Sequence, residues 1–140
     1  MSLVPIKYSE LNSKQKEIFN FQKVAALLAD YGYNCIKLAD DWQGADFLAY
    51  HIDGISTFRV QLKSRVTIDK KYETKDLHMA FPVRRYWYLI EHDKLVQLAD
   101  IHTNWLESKS WKISSAYSIT SPNKKFMEAL EPFRLGKPVN

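Results

Sequence analysis

At 140 residues and 16.4 kDa the chain is long enough to form one domain with a buried core, and its 46% apolar residues argue against disorder. A formal net charge of +4 and a pI near 9.1 are compatible with a polyanionic partner without requiring one. A single cysteine, Cys35, excludes an intrachain disulfide and a cysteine-rich zinc site, and the lack of a long apolar run or a signal-peptide pattern predicts a cytoplasmic location.

We expect a single domain over residues 1–140. The sequence of its N-terminal part predicts an irregular lead-in followed by a helix. Residues 1–12 form the lead-in, and the helix runs from Lys14 to Tyr31. Asn12 and Ser13 offer capping oxygens at its start, and Gly32 suits a C-terminal cap. Apolar side chains recur at intervals of three and four residues and predict one buried face. They are Ile18, Phe21, Val24, Ala25, Leu28 and Tyr31.

Three strands are predicted next. Asn34 to Leu38 is a short strand, residues 40–44 are a polar loop, and Asp46 to Ile52 form the second strand. Asp53-Gly54 favours a type I′ hairpin turn, because both residue types tolerate the positive φ angles of that turn. The third strand, Thr57 to Ser64, alternates between an apolar and a polar face. The polar face, which suits a surface cleft, carries Arg59, Gln61, Lys63 and, just beyond the strand, Arg65.

The second half of the chain mixes both kinds of element. The sequence predicts a polar loop over residues 67–76. It then predicts two strands joined by a tight turn, Tyr86 to Glu91 and Lys94 to Ala99. A short helix is expected over Asp100 to Leu106, and a last helix starts near Ser121-Pro122. This order predicts an α/β (α+β) domain in which a sheet is flanked by helices.

Side chains that could bind a metal and assist hydrolysis are predicted at one end of the hairpin. If the second and third strands pair, Asp46, Gln61 and Lys63 converge there. Mg²⁺ prefers oxygen ligands and keeps several waters, so the Asp46 carboxylate, the Gln61 side-chain oxygen and the Leu62 backbone carbonyl would be its ligands. Lys63 would orient or stabilise the attacking hydroxide in phosphodiester hydrolysis. The simpler interpretation is a solvated ion pair between Asp46 and Lys63, worth only ~0–1 kcal/mol.

These residues and their context resemble the PD-(D/E)XK nuclease superfamily, the restriction-endonuclease-like fold. The resemblance covers about Lys14 to Arg65. Gly44-Ala45-Asp46 stands for the Pro-Asp step, and Gln61-Leu62-Lys63 stands for (D/E)-x-K with glutamine as a variant. It implies a central mixed β-sheet flanked by helices.

Members that resemble Holliday-junction resolvases also carry an acid on the first helix, and the matching position is Gln22. By this resemblance, the catalytic set is Asp46, Gln61, Lys63 and Gln22. Two positions that are often carboxylates would then be amides, which lowers the negative charge offered to a metal. Asp40, Asp41 and Glu17 are candidates to compensate.

A basic segment follows the hairpin and suits contacts with phosphates, whereas Tyr72 and Trp42 suit stacking on bases. A solvated basic loop explains the same segment equally well. The phosphate-binding candidates are Arg65, Lys70, Lys71 and Lys75.

The resemblance therefore implies a metal-dependent endonuclease that hydrolyses double-stranded or branched DNA with Mg²⁺ or Mn²⁺, acting as a homodimer. No Gly-rich phosphate loop is present, so no nucleotide cofactor is expected, and no membrane association is expected either. Two alternatives remain: a catalytically inactive nuclease fold that binds nucleic acid or protein, and a subunit whose recognition or helicase function lies on a partner chain.

Overall fold

The computed structural model describes residues 1–42 and 44–136, with only the backbone of Asp41 and Trp42. Along the described residues, one α-helix is followed by six strands, two α-helices, a seventh strand and a last α-helix. The strands are β1 (Tyr33–Trp42), β2 (Ala45–His51), β3 (Thr57–Leu62), β4 (Val66–Asp69), β5 (His78–Val83), β6 (Tyr86–Glu91) and β7 (Ala116–Ile119). The helices are α1 (Ser13–Ala29), α2 (His92–His102), α3 (Lys109–Ser114) and α4 (Lys124–Leu130).

Five strands form a mixed sheet in the order β1-β2-β3-β5-β6. The pair β3 and β5 is parallel, and the other neighbours are antiparallel. Strands β4 and β7 pair as a separate antiparallel ribbon. The predicted mixed sheet flanked by helices is therefore confirmed.

Helix α1 begins with a reciprocal cap. The Asn12 side chain accepts the backbone N–H of Gln15, and the Gln15 side chain accepts that of Asn12, each at 2.9 Å. Gly32 follows the helix with a φ of +86°, a conformation that other residue types rarely adopt. Within the described residues, no helix is long and apolar enough to cross a membrane.

One stripe of α1 is buried against the sheet. Val24 and Leu28, one turn apart, pack in a cluster with Phe47 of β2. The predicted apolar face is too wide, because Ile18 and Tyr31 are 40% and 41% exposed. The helix therefore crosses the sheet through its middle and C-terminal turns, and its first turns project beyond the core.

Two local predictions in the hairpin region are wrong. Strand β1 continues to Trp42 through part of the predicted polar loop, although Gln43 lies outside the described residues. The β2–β3 connection is not a type I′ turn, because Gly54 has a φ of +72° but Asp53 does not have a positive φ. Instead, the Asp53 carboxylate accepts the backbone N–H groups of Ile55 and Ser56, which lowers the pKa of Asp53 to about 2.

The second half of the chain departs further from the predictions. The predicted strand over Lys94 to Ala99 is wrong, because these residues belong to α2, whose buried Leu95, Leu98 and Ala99 follow helical spacing. The predicted helix over Asp100 to Leu106 overlaps only the last turn of α2 and the start of a short 3₁₀ helix at Trp105–Glu107. Strand β5 was not predicted, and part of the predicted loop over residues 67–76 is β4. Helix α4 starts at Lys124 with Asn123 as its cap, slightly later than predicted.

The core lies on both faces of the sheet. The cluster under α1 includes Val60 and Ala80, whereas the cluster on the other face includes Met79 and Phe81 together with α2 and α4. Neighbouring residues of β5 therefore point into opposite clusters, as expected of a strand inside a covered sheet. Strands β2 and β3 contribute Phe47 and Val60 to the cluster under α1.

Candidate functional site

Asp46 is fixed where the pairing of β2 and β3 ends. The last pair of that ladder is Phe47 with Val60, and Asp46 lies one residue beyond it. Its Oδ2 accepts the backbone N–H of Leu62 at 2.7 Å, a hydrogen bond strengthened by the carboxylate charge. The side chain thus holds its carboxylate against the end of β3.

Gln61 lies on the same face of the sheet. Phe47 and Val60 are paired, so the residues next to them, Asp46 and Gln61, both point to the opposite face. Gln61 is only 8% exposed, and its Oε1 is buried with no hydrogen-bond partner among the described residues. A buried unpaired polar group costs about 1–3 kcal/mol, so it calls for a ligand or another explanation.

Lys63 is half-buried at the mouth of a groove. Its backbone N–H donates to the Ala80 carbonyl at 2.8 Å, which extends the β3–β5 pairing past Leu62. Its ammonium lies 5.6 Å from the centre of the Tyr72 ring, within range of a cation–π contact. The side chain lines a groove of about 260 Å³ together with Leu62 and Glu17.

Glu17 of α1 connects this groove to Asp46. It also lines a neighbouring cavity of about 170 Å³, together with Asp40 and Asp46. Its carboxylate lies 3.7 Å from the Lys14 ammonium and 3.9 Å from the Lys37 ammonium. Both pairs are partly exposed, so neither offsets much of the charge of Glu17. The carboxylates of Asp46 and Glu17 therefore border one cavity, whereas Gln61 shares a sheet face with Asp46 and lines neither of these two cavities.

The structure places Gln22 away from these residues. Gln22 is exposed and lines neither of the two cavities. Gln22 is five positions after Glu17, which corresponds to about 140° around a helix. Glu17 lies two turns before the buried Val24 on the same stripe, so helical periodicity could have pointed to it. Asp40 is exposed at the second cavity, and the side chain of Asp41 lies outside the described part.

The predicted phosphate-binding residues lie on the surface. Arg65, Lys70, Lys71 and Lys75 are all exposed. The Lys71 ammonium lies 5.1 Å from the centre of the same Tyr72 ring that Lys63 contacts.

The stacking role predicted for Tyr72 is wrong. Tyr72 is 4% exposed and belongs to the core cluster with Leu77, so its ring has no face for a base. It instead supports the two lysines from below. The side chain of Trp42, the other predicted stacking surface, lies outside the described part of the chain.

The donor set suits a hard cation with retained waters. Among the described residues, no group of three or more His, Cys, Asp or Glu side chains is arranged to hold a metal. The oxygens available are the carboxylates of Asp46 and Glu17, the Gln61 amide and the Leu62 carbonyl. Mg²⁺ is usually held by one or two carboxylates and keeps several waters, and Mn²⁺ favours the same ligand types. The residues present therefore fit Mg²⁺ or Mn²⁺.

A separate, mostly apolar cavity of about 390 Å³ is lined by Phe58, His78 and Phe133, among others. Burial lowers the pKa of His78, and the nearby charge of Glu91 opposes this shift. None of the site residues above lines this cavity, so His78 is not part of the candidate site.

Comparisons with known proteins support the fold. No protein-family model and no curated protein sequence matches the chain. The structure is similar to that of the bacterial homing endonuclease I-Ssp6803I, with a TM-score of 0.50 and 16% identity over 81% of this chain and 78% of that chain. It is also similar to Hjc, a Holliday junction resolvase from the archaeal hyperthermophile Archaeoglobus fulgidus, with a TM-score of 0.42 and 16% identity over 55% and 76% of the two chains.

The likeness to I-Ssp6803I shows that the chain has the restriction-endonuclease-like fold. The sequence around Asp46 and Gln61-Leu62-Lys63 resembles the PD-(D/E)XK superfamily. The fold that this resemblance implies is thereby confirmed.

Proposed function

We propose that this protein is a metal-dependent endonuclease that hydrolyses phosphodiester bonds of DNA. The observation that carries the proposal is the buried, unpaired oxygen of Gln61 on the same face as the anchored Asp46 carboxylate. Glu17 and Lys63 line the adjoining groove. A nuclease fold, two carboxylates and a lysine at the end of one strand pair together support phosphoryl chemistry better than a purely structural role.

Each residue of the site has a distinct role in this proposal. Asp46, Glu17, the Gln61 amide and the Leu62 carbonyl would hold Mg²⁺ or Mn²⁺. When bound, such an ion offsets the phosphate charge and lowers the pKa of a coordinated water. Glu17 replaces Gln22 as the residue that α1 contributes.

Lys63 stabilises the charge that develops on the phosphate. In the reaction, water adds to phosphorus and the bond from phosphorus to one sugar oxygen breaks. The attacking water gives a proton to solvent and the leaving sugar oxygen takes one from solvent, which yields a phosphomonoester and a hydroxyl. The Lys63 ammonium donates to the phosphoryl oxygens, with the Tyr72 ring limiting its movement.

Nicking assays test this directly, with supercoiled, branched and single-stranded DNA in Mg²⁺ or Mn²⁺. Lys63→Ala should lower the cleavage rate about 10²–10³-fold, the usual size of a lost transition-state donor, while DNA affinity changes only slightly. Lys125→Ala, an exposed lysine on α4, is the control and should cleave like wild type. Equal cleavage by Lys63→Ala and Lys125→Ala would refute the assigned role.

A binding module that has lost catalysis is the second candidate. The amide at Gln61 favours it, because it offers a metal less negative charge than a carboxylate. Wild-type protein that binds DNA but cuts no substrate in either metal would establish this alternative. Protein that neither binds nor cuts would leave a protein partner as the function of the fold.

We further propose that residues 1–140 act as one unit in the cytoplasm and pair as a homodimer, because cutting both strands takes two sites. Exposed apolar side chains on one face of β1 and β2 support such pairing: Ile36 is 47% and Tyr50 is 42% exposed. Phosphate contacts outside the cleavage site would come from the surface cations Arg65, Lys70, Lys71 and Lys75.

A further inference from the structure

The N-terminal segment builds one wall of the groove that contains Lys63. Within the expected irregular lead-in, Tyr8–Glu10 form a short 3₁₀ helix. The ring of Tyr8 packs on Phe19 of α1 with 5.3 Å between ring centres, and the Asn20 side-chain amide donates to the Tyr8 hydroxyl at 2.9 Å. These contacts fix Tyr8 over the first turns of α1.

This wall presents hydrogen-bond donors to the groove. Because the Asn20 amide donates to the Tyr8 oxygen, the hydroxyl hydrogen of Tyr8 can still be donated to an acceptor. The half-buried Lys16 places its ammonium 5.3 Å from the centre of the Tyr8 ring. Lys63 and Ser64 line the opposite side of the same groove of about 260 Å³.

The charges of the groove favour an anion. Lys16 and Lys63 both line it, whereas Glu17 is its only carboxylate among the described residues. Two ammonium groups and several hydroxyl and amide donors match the oxygens of a phosphodiester, which proteins bind through such groups.

We propose that Tyr8 and Lys16 form a phosphate-binding subsite for the DNA backbone, one step along the strand from the phosphate that is cleaved. The proposal rests on the proposed function for the identity of the strand. Tyr8 and Lys16 are positioning residues: they hold the strand in register so that the next phosphate lies against Lys63, and they take no part in bond breaking.

Binding measurements without divalent metal separate this role from cleavage. The affinity for a short fluorescent DNA duplex is measured by anisotropy at several salt concentrations. Lys16→Gln should weaken binding about tenfold and reduce the slope of log affinity against log salt by about one, because one phosphate contact is lost. Tyr8→Phe keeps the ring, removes only the hydroxyl, and should weaken binding about fivefold at an unchanged slope.

The chain offers a matched control for each variant. Lys23→Gln alters a lysine of the same helix whose ammonium lies 5.2 Å from the Phe19 ring centre. Tyr31→Phe alters a tyrosine that is 41% exposed, against 40% for Tyr8, and whose hydroxyl accepts the backbone N–H of Gly136. Both controls should bind DNA like wild type, and all four variants should melt within a few degrees of it.

Separate outcomes decide the subsite and the nuclease proposal. If Lys16→Gln and Tyr8→Phe bind like their controls while wild type cleaves DNA, the subsite is refuted and the nuclease proposal stands. If both variants weaken binding but wild type never cleaves, the subsite stands and the nuclease proposal fails. Wild-type protein that does not bind DNA at all would overturn both.

Discussion

In the proposed site, Gln61 would determine how the protein responds to a metal. Its side chain is buried, its Oε1 lacks a partner among the described residues, and it shares a face with Asp46. A neutral amide in this place keeps two carboxylates from facing each other in the metal-free protein. The same amide attracts a divalent cation less strongly than a carboxylate at this position would.

The variant Gln61→Glu should make folding stability depend on metal. Without metal, a second buried carboxylate beside Asp46 should lower the free energy of unfolding by about 3 kcal/mol. Millimolar Mg²⁺ or Mn²⁺ should restore most of this loss, because the ion binds only the folded state. Chemical denaturation with and without EDTA measures both effects. Gln97→Glu, an exposed glutamine on α2, should show neither, and a Gln61→Glu protein indifferent to metal would contradict the assigned ligand set.

Strand alternation was enough to predict that Asp46 and Gln61 share a face of the sheet, because a two-residue period fixes which side chains share a face. Glu17 was harder to assign, since its position depends on which stripe of α1 meets the sheet. Tyr72 was wrongly predicted to be exposed, because its burial comes from distant partners: Leu77 and Gly44 pack around its ring. Side-chain positions that depend on the two-residue repeat of a strand could be predicted. Burial that depends on tertiary packing could not.

The first turn of α2 braces the segment that carries Tyr72. His92 is 1% exposed, its Nε2 accepts the backbone N–H of Asp69 at 3.1 Å, and its Nδ1 donates to the Asp93 carboxylate at 3.1 Å. The other oxygen of Asp93 accepts the backbone N–H of Thr74 at 3.0 Å. Both ends of the segment that supports Lys63 and Lys71 are thereby tied to α2.

Replacing His92 should affect both the folding stability and the cleavage rate. His92→Leu leaves the Asp69 N–H unpaired and should lower the free energy of unfolding by about 1–3 kcal/mol. Because the Tyr72 ring then moves more freely under Lys63, the cleavage rate should fall several-fold with little change in DNA affinity. His102→Leu, at the far end of α2, is the control. A His92→Leu protein as stable and as active as this control would show that α2 does not position the site.

At the level of elements, the sequence predicted α1, β2, β3 and β6 well, because caps, turn residues and alternation mark them locally. Strand β5 escaped prediction because both of its faces are buried, so no polar alternation marks it. The apolar pattern of Lys94 to Ala99 is compatible with a strand and with a helix. In the structure these residues are helical, and α2 packs against β4 and α4.

Across the whole molecule, the sheet brings together groups that lie far apart in the sequence. The antiparallel β2–β3 hairpin presents Asp46, Gln61 and Lys63, α1 adds Glu17 above them, and the segment after β4 supports Lys63 from below. The hairpin is local and could be predicted from the sequence. The packing of α1 and of the β4 segment onto it involves contacts over long sequence separations, which no local pattern encodes.

The most direct test is to locate Mn²⁺ in crystals of wild-type protein by its anomalous scattering. We expect one strong peak within coordination distance of the Asp46 carboxylate and the Gln61 oxygen, and loss of that peak in Asp46→Asn. No ion at Asp46 in Mn²⁺ at concentrations that support cleavage, or an ion bound only elsewhere on the molecule, would contradict it.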